Sequence, residues 1–176
     1  TEIYTLSLHD ALPIYNGLAR VTRDMQAEPM LAEEWDAKPG AREWSFKLRE
    51  GVEFHNGKTL DAEDVVASIL RHITEDSKSP AKPLLEDIAE IKADGKNRVS
   101  ITLASGNALL PMTFAADYHT VIHPAGYTDF ANPIGTGPYK VKEFEPGLRC
   151  LFERNENYWK SRSEERRVGK ECRSRW

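Results

Sequence analysis

The sequence predicts a mixed α/β fold, and three observations lead to that class. Trp44, Phe46 and Leu48 alternate with polar residues, which is the period-two pattern of a half-buried strand. An amphipathic helix begins after Asp61, and hairpin patterns follow it at 89–103 and 139–154. Strands, one clear helix and further hairpins predict a mixed sheet with helices packed on it, rather than a helical bundle.

The composition excludes several functional classes. The chain has 176 residues and a formal net charge of −4, so it lacks the broad basic field that attracts nucleic acid or an anionic membrane. Its longest apolar run, 108–116, is far shorter than the roughly 18–20 residues that span a bilayer, and Pro111 interrupts it. With 40% apolar and 30% charged residues, the sequence predicts one globular domain, or one domain and part of another.

The clearest single element is the helix that begins after Asp61. Asp61 is a good N-cap and Asp64 stands three residues later, so the pair predicts a capping box. Leu60 and Val65 flank this cap at the spacing of a hydrophobic staple. The apolar stripe of the helix consists of Val65, Ile69 and Ile73, with Val66 and Leu70 beside it. The polar segment 75–83 then ends the helix and predicts a surface loop.

Further elements are predicted after this helix. A hairpin with its turn at 94–97 has the apolar face Ala89, Ile91, Ala93, Val99, Ile101 and Leu103. Segment 107–116 predicts a short helix, because Pro111 falls in its first turn, where proline is tolerated. The remaining predicted strands are a short β-prone segment at 119–122 and a second hairpin formed by 139–142 and 148–154.

The two ends of the chain differ in composition from the middle. Residues 161–176 carry six basic and three acidic side chains, whereas residues 1–14 carry two acids and no base. The tail can be explained as a solvated basic arm, or as a segment that binds nucleic acid or lipid. Both ends closely resemble translated sequencing-adapter sequence, so we interpret 1–14 as an artefactual leader, 15–160 as the folded body and 161–176 as an artefactual tail. We expect 1–14 and 163–176 not to pack against that body.

The cysteine and histidine spacings predict no disulfide framework and no metal site. Cys172 lies in the suspect tail, which leaves Cys150 alone in the body, where its strand position predicts a small core residue. His119 and His123 are four residues apart. In a β-prone segment that spacing separates the side chains, and a zinc site would also need further ligands.

Three groups of motifs occur in a fixed order along the body. The first is Tyr15-Asn16-Gly17-Leu18, followed by Leu31-Ala32-Glu33-Glu34-Trp35. The second is WSFKLREGVEFHNGK at 44–58, which leads into LDAEDVVAS at 60–68. The third is PIGTGPY at 133–139, followed by ERNENYW at 153–159. This ordered set resembles the family 5 extracellular solute-binding proteins of ABC importers, the dipeptide-, oligopeptide- and nickel-binding type, over about residues 15–160.

The resemblance implies a partial lobe, the first, of a two-lobed periplasmic-binding-protein-like (type II) fold that closes on its solute. It implies a monomeric receptor for short peptides that hands its ligand to an ABC permease, needs no cofactor and is not an enzyme. Nickel, haem and sugar ligands also occur in the family. A periplasmic or lipid-anchored location is implied as well. The family's first segment is replaced here by the suspect leader and its second lobe does not follow, so we expect the chain alone not to bind ligand tightly.

Two segments are candidate walls of the solute cleft. Asp117, Tyr118 and His119 place an acid, a phenol and an imidazole in a loop, which can orient a polar solute or form a satisfied surface turn. Gly135, Thr136 and Gly137 can bring exposed backbone N–H groups close to a solute, or form a tight turn at the lobe edge. The strand and turn around His55 suggest that this residue has a structural role, and contact with the permease is the alternative. Capping explains the acids Asp61, Glu63 and Asp64.

Other functional classes stay open at this point. The sequence contains no nucleophile elbow, phosphate-binding loop or metalloprotease motif, but a secreted hydrolase whose catalytic half lies elsewhere is one alternative. A peptide-binding sensor or chaperone module without transport is another. The uninterrupted reading frame separates these classes, because neighbouring permease genes, a catalytic motif and an upstream DNA-binding helix pair would each favour a different one.

Overall fold

The computed structural model describes residues 14–129, 132–145 and 149–160, with the side chains of 144–145 and 149–150 left out. The predicted tail, the predicted leader up to residue 13 and the side chain of Cys150 therefore lie outside the described residues. Ile14 is fully buried, and its carbonyl accepts a hydrogen bond from the backbone N–H of Gly137 (2.8 Å). The packed body thus includes Ile14, one residue before the predicted boundary.

The described chain forms strands and helices in an order that fits the predicted class. The elements are β1 (Ala19–Val21), β2 (Ala27–Pro29), β3 (Ala32–Ala37), β4 (Glu43–Leu48), α1 (Ala62–Ile73), α2 (Lys82–Leu85), β5 (Ile88–Ala93), β6 (Arg98–Leu103), α3 (Leu110–Ala116), β7 (Tyr139–Glu145) and β8 (Arg149–Arg154). The central sheet has the order β3–β4–β6–β5, and β1–β2 and β7–β8 form two separate ladders. The mixed α/β class is confirmed.

The strand directions differ from the prediction. Every ladder among the described residues is antiparallel, so the mixture of parallel and antiparallel strands predicted for the sheet is wrong there. The physical reason is the connections: β3–β4 and β5–β6 are hairpins with short turns, which fix antiparallel pairing, and β4 pairs with β6 antiparallel as well.

The inner face of the sheet forms the core. In β4, Trp44, Phe46 and Leu48 are buried while the residues between them are half exposed, which confirms the period-two prediction. Phe46 stacks edge-on against Phe114 of α3, with ring centroids 5.6 Å apart. Val65 of α1 is fully buried in the same core. The residues of β4 and β6 on the opposite face are polar and half exposed or exposed, so in the described part of the chain the helices pack on one face of this sheet.

The cap of α1 confirms the predicted capping box. Asp64 N–H donates to the Asp61 carboxylate (3.1 Å), and Asp61 N–H donates to the Asp64 carboxylate (3.0 Å). The Asp64 side chain is fully buried and also accepts from Ala125 N–H (2.6 Å) and from the ammonium of Lys58. One carboxylate therefore joins the start of α1 to the turn before it and to the loop at 124–126.

Leu70, predicted beside the apolar stripe of α1, is 41% exposed. Three local predictions need correction. Ala89 is exposed, because a β-bulge between Ile88 and Glu90 brings Ile88 and Ile91 to the inner face instead. The segment 75–83 is not all loop, since α2 begins within it. The segment 119–122 forms no strand, because Asn16 and nearby loop atoms take its hydrogen bonds.

The hairpins β1–β2 and β7–β8 form ladders that are separate from the central sheet. Both are two-stranded, and the β7–β8 hairpin confirms the predicted pairing of 139–142 with 148–154, although residues 146–148 between its strands lie outside the described residues. In the described part of the chain, no helix has both the length and the apolar character that crossing a membrane requires.

Candidate functional site

The first and the third motif groups meet at one buried side chain, Asn16. Its Oδ1 accepts hydrogen bonds from the hydroxyl of Thr136 (3.2 Å) and from the indole N–H of Trp159 (3.3 Å). Its backbone carbonyl accepts from Ile122 N–H (3.1 Å). Residues that are 120 and 143 positions apart in sequence are thereby joined at one point. We call this the Asn16 junction, and sequence reasoning missed it because no local pattern reports such distant pairs.

The glycine segment of the candidate cleft is part of this junction. Gly137 N–H donates to the carbonyl of Ile14 (2.8 Å), and Gly135 N–H donates to Nδ1 of His55 (3.3 Å). The exposed N–H groups expected at Gly135 and Gly137 are therefore absent, because both amides have partners inside the chain. A Cβ at Gly135 would lie 2.1 Å from the carbonyl oxygen of Ile14, so this close approach requires glycine.

His55 bridges the two glycines from the other side. Its Nε2 lies 3.0 Å from the carbonyl oxygen of Gly137, and its Nδ1 accepts from Gly135 N–H. This pattern fits the neutral imidazole with the proton on Nε2. Burial lowers the pKa of His55, and the charge of Lys140 lowers it further. The hydrogen bond to the Gly137 carbonyl acts in the opposite direction and raises the pKa. The ring therefore holds the glycine segment in place, which supports the structural explanation of His55.

The second candidate segment forms a rigid loop after α3. The Oδ1 atom of Asp117 accepts from the backbone N–H of His119 (2.8 Å) and lies 2.8 Å from its Nδ1. The Asp117 carbonyl accepts from the hydroxyl of Thr120 (2.8 Å), and its N–H donates to the carbonyl of Thr113 (3.2 Å). The rings of Tyr118 and His119 lie 3.9 Å apart. The loop is thus held in one shape by its own bonds.

This loop forms part of the lining of a surface groove of about 430 Å³. The volume falls in the range of small-molecule sites, roughly 300–1,000 Å³. The lining consists of Pro80, Leu84, Leu109, Met112, Thr113, Ala116, Asp117, Tyr118 and His119. Leu84 is 54% exposed, Leu109 is 67% exposed and Tyr118 is 39% exposed, so the groove presents apolar side chains to the solvent. We call this surface the α2–α3 groove.

Two buried histidines lie close to these segments and were not predicted as functional. Burial, reinforced by the charge of Arg71, lowers the pKa of His72 to about 4, although the Asp117 carboxylate opposes the shift. Its Nδ1 lies 2.6 Å from the hydroxyl of Ser79. Burial lowers the pKa of His123 to about 3, again with Arg71 acting in the same direction. Both imidazoles are therefore neutral at ordinary pH. The apolar residues around His72 in α1 were the sequence signal that this histidine is buried.

The two predicted walls bond to different partners, and the structure supplies no metal cluster among the residues it describes. The groove loop bonds to α3 and to Thr120, whereas the glycine segment bonds to His55, Ile14 and Asn16. In the described ranges, no group of three or more histidine, cysteine, aspartate or glutamate side chains could hold a metal ion. His119 pairs with Asp117, while His123 packs its ring edge-on against Tyr15, 4.8 Å between centroids.

Comparison with known proteins identifies the class. Residues 26–169 match the family described as bacterial extracellular solute-binding proteins, family 5 middle. The chain therefore belongs to family 5 of the bacterial extracellular solute-binding proteins. The match extends beyond residue 160, into the segment interpreted above as an artefactual tail.

Three curated relatives show what this chain is similar to. It is 35% identical to the uncharacterized protein YhjP of Bacillus subtilis, over 88% of the chain and 26% of that protein. It is 29% identical to the nickel-binding periplasmic protein of Escherichia coli, over 83% of the chain and 29% of that protein. It is 33% identical to the HTH-type transcriptional regulator SgrR of Yersinia pestis, over 80% of the chain and 25% of that protein. The chain thus spans between a quarter and a third of the length of these relatives.

Two solved structures show the same fold. The oligopeptide-binding protein AppA of Bacillus subtilis, in complex with a nonapeptide, has a TM-score of 0.78 at 25% identity, covering 89% of this chain and 33% of that one. NikA of Brucella suis, in complex with Fe(III)-EDTA, has a TM-score of 0.79 at 27% identity, covering 90% of this chain and 33% of that one. The described fold is therefore a part of the periplasmic-binding-protein fold of type II, as the sequence predicts.

Proposed function

We propose that this chain is part of a receptor that binds short peptides and delivers them to an ABC permease. The observation that carries the proposal is the family match over residues 26–169. The similarity to AppA, solved with a nonapeptide, supports peptides as the ligand class, and the nickel-binding relative makes nickel the ligand to exclude. The proposal includes a monomeric receptor that lies in the periplasm or is anchored by lipid at the cell surface.

We assign the solute contact to the loop end of the α2–α3 groove, at Asp117, Tyr118 and His119. The groove is shaped before any ligand arrives, because the loop bonds of Asp117 already fix it. The segment Gly135, Thr136 and Gly137 contributes indirectly in this proposal, by holding the Asn16 junction. Main-chain recognition of an extended peptide would let one receptor accept varied side chains.

The proposed function is binding without catalysis. The Asp117–His119 pair resembles two members of a catalytic triad, but a nucleophile would have to lie within hydrogen-bond reach of the imidazole. The aliphatic hydroxyl in the groove lining belongs to Thr113, and it donates to the carbonyl of Leu109 (3.4 Å). The pair therefore serves to shape the loop, and the characterised relatives compared above are named as a nickel-binding protein and a regulator.

A second candidate function is a solute-sensing domain of a transcriptional regulator. The specific observation that favours it is the 33% identity to the SgrR regulators, which is higher than the identity to the nickel-binding protein. The same groove would then bind a solute whose capture changes DNA binding by a separate part of the protein. The two candidates share the binding step and differ in the event that binding triggers, which is uptake in one case and regulation in the other.

One experiment on the whole gene product separates these candidates. The reading frame is extended in both directions, and the complete protein is titrated calorimetrically with di- to pentapeptides and with nickel. We expect peptide binding in the micromolar range, about −8 kcal/mol, and loss of peptide uptake when the gene is deleted. A DNA-binding helix pair in the frame, with peptide-dependent operator binding, would support the sensor instead. No peptide binding by the complete protein would contradict the peptide receptor, and a complete reading frame without a DNA-binding helix pair would contradict the sensor.

A further inference from the structure

The chain contains two asparagine–glycine pairs, and the structure places them in opposite surroundings. Asn16 precedes Gly17, and Asn56 precedes Gly57. Asparagine is chemically labile because the backbone nitrogen of the next residue can attack its carboxamide carbon. Glycine hinders this attack least, since it has no Cβ beside that nitrogen. The sequence alone therefore makes the two pairs equally susceptible.

The pair at Asn16 is held inside the fold. Asn16 is 5% exposed, so the water that the reaction also needs is largely excluded. Its Nδ2 donates to the carbonyl of Tyr15 (3.0 Å), and its Oδ1 accepts from the hydroxyl of Thr136 and the indole of Trp159. The bond from Nδ2 must break before this nitrogen can leave as ammonia. We therefore expect the fold to protect Asn16.

The pair at Asn56 lies in an exposed turn. Asn56 and Gly57 are both exposed, and among the described residues the Nδ2 of Asn56 has no hydrogen-bond partner. Its Oδ1 accepts from the N–H of Lys58 (3.1 Å). This bond folds the side chain back over the backbone that follows it and draws electrons away from Cγ, the atom that is attacked. The attacked carbon and the leaving nitrogen are thus both accessible.

One hydrogen bond opposes the reaction at this turn. The N–H of Gly57 donates to the carbonyl of Phe54 (2.9 Å), and the nitrogen must lose this proton before it attacks. The bond belongs to an exposed turn, where backbone hydrogen bonds open at low free energy. It should therefore slow the attack on Asn56 without preventing it.

We propose that Asn56 is a site of spontaneous deamidation from which the fold protects Asn16. The nitrogen of Gly57 loses its proton to hydroxide and forms a bond with Cγ of Asn56. The bond between Cγ and Nδ2 then breaks, and Nδ2 takes up a proton and leaves as ammonia. Water opens the resulting ring at either carbonyl carbon, which gives aspartate or isoaspartate at position 56. No oxidant or cofactor takes part, because no atom changes its oxidation state.

The modified turn lies between two residues that hold the fold. His55 precedes it and bonds to the glycine segment 135–137, and Lys58 follows it and pairs with Asp64. Isoaspartate adds one carbon to the backbone between His55 and Gly57, whereas aspartate adds only a charge. The added carbon should displace the His55 ring from the glycine segment. This modification goes beyond the proposed function and does not depend on it.

The test follows both pairs in one sample of the full 176-residue chain at about pH 8, above the ordinary titration range of histidine. Trypsin cuts after lysine and arginine, so it releases the pairs in separate peptides, 1–20 and 50–58. Deamidation raises the mass of a peptide by about one dalton, because NH₂ is replaced by OH. In the folded chain, we expect peptide 50–58 to convert at least about tenfold faster than peptide 1–20, a ratio that the lost hydrogen bonds of Asn16 account for. In denaturant, the two rates should become similar.

Variants assign the conversion and its effect to position 56. Asn56→Gln makes ring closure much slower, so peptide 50–58 should keep its mass over the same time. In ¹⁵N-correlated NMR spectra, the amide signals of Gly135 and Gly137 should shift in the aged chain and stay unchanged in aged Asn56→Gln. Freshly prepared Asn56→Asp carries the charge without the added carbon and should also leave these signals in place.

Three results would overturn the proposal. If peptide 50–58 keeps its mass in the folded chain but converts in denaturant, the bond to Phe54 protects the turn. Equal conversion of the two peptides in the folded chain would show that the bonds of Asn16 give no protection. Unchanged signals of Gly135 and Gly137 after conversion of Asn56 would remove the effect on His55.

Discussion

The buried carboxylate of Asp64 allows the sharpest test of how this fold is held together. Replacing Asp64 with alanine removes one acceptor group that serves Lys58, Asp61 N–H and Ala125 N–H at the same time. The side chain of Asp64 is fully buried, whereas that of Lys58 is 39% exposed. The ammonium left behind can therefore reach water, and the two backbone donors lose their partner.

The magnitude can be worked out from these contacts. A hydrogen bond to a charged group contributes about 1.5–3 kcal/mol. Three of them end on this one carboxylate, and contributions within one such network do not add. Breaking a fully buried ion pair costs about 3–5 kcal/mol, which is an upper limit here because Lys58 is partly hydrated. We expect Asp64→Ala to lower the free energy of unfolding by about 3 kcal/mol, a large part of the roughly 5–15 kcal/mol that holds a typical domain.

Urea unfolding followed by circular dichroism measures this loss, and Glu63→Ala is the matched control. Glu63 lies one position earlier in the first turn of α1 but is exposed, so its removal should cost no more than about 1 kcal/mol through the helix dipole. Combining Asp64→Ala with Lys58→Ala should show a coupling energy of at least about 1 kcal/mol. A loss below about 1 kcal/mol for Asp64→Ala would refute the reasoning.

Two further predictions concern the segments around the candidate site. Gly135→Ala places a Cβ 2.1 Å from the carbonyl oxygen of Ile14, so it should destabilise the chain by about 3 kcal/mol or more in the same urea assay; an unchanged midpoint would contradict the close approach. The folded-state pKa of His72 is lowered from 6.5 to about 4, so the unfolded chain binds the extra proton between these values. Stability should therefore fall as the pH drops from about 6.5 to 4, and His72→Gln should flatten that part of the profile; an identical slope in the variant would exclude His72 as the cause.

Local sequence patterns predict the parts of the fold that depend on near neighbours. The capping box of Asp61 and the alternation of β4 are local features, so the sequence predicts both correctly. The hairpin β1–β2 and strand β3 carry no such pattern: β1 and β2 have three residues each, and β3 contains acids on an edge strand. Their pairing depends on packing that a window of sequence does not contain.

The errors have the same physical origin. Segment 119–122 has β propensity, but Ile122 N–H bonds to Asn16 and the Thr120 hydroxyl bonds to Phe114, so tertiary contacts override propensity. In the candidate site, the Asp117–His119 loop was predicted because its residues are adjacent. The groove that this loop helps to line was not predicted, because Leu84 and Leu109 come from separate elements.

The Asn16 junction bears on how relatives of this chain are recognised. The motif residues that identify the family form hydrogen bonds with one another. Because these bonds hold the fold together, few of their polar atoms are left to contact a ligand. A search built on those motifs sorts proteins by architecture. Two proteins that share these motifs can therefore bind different ligands. The ligand specificity must be inferred from surface residues outside the motifs.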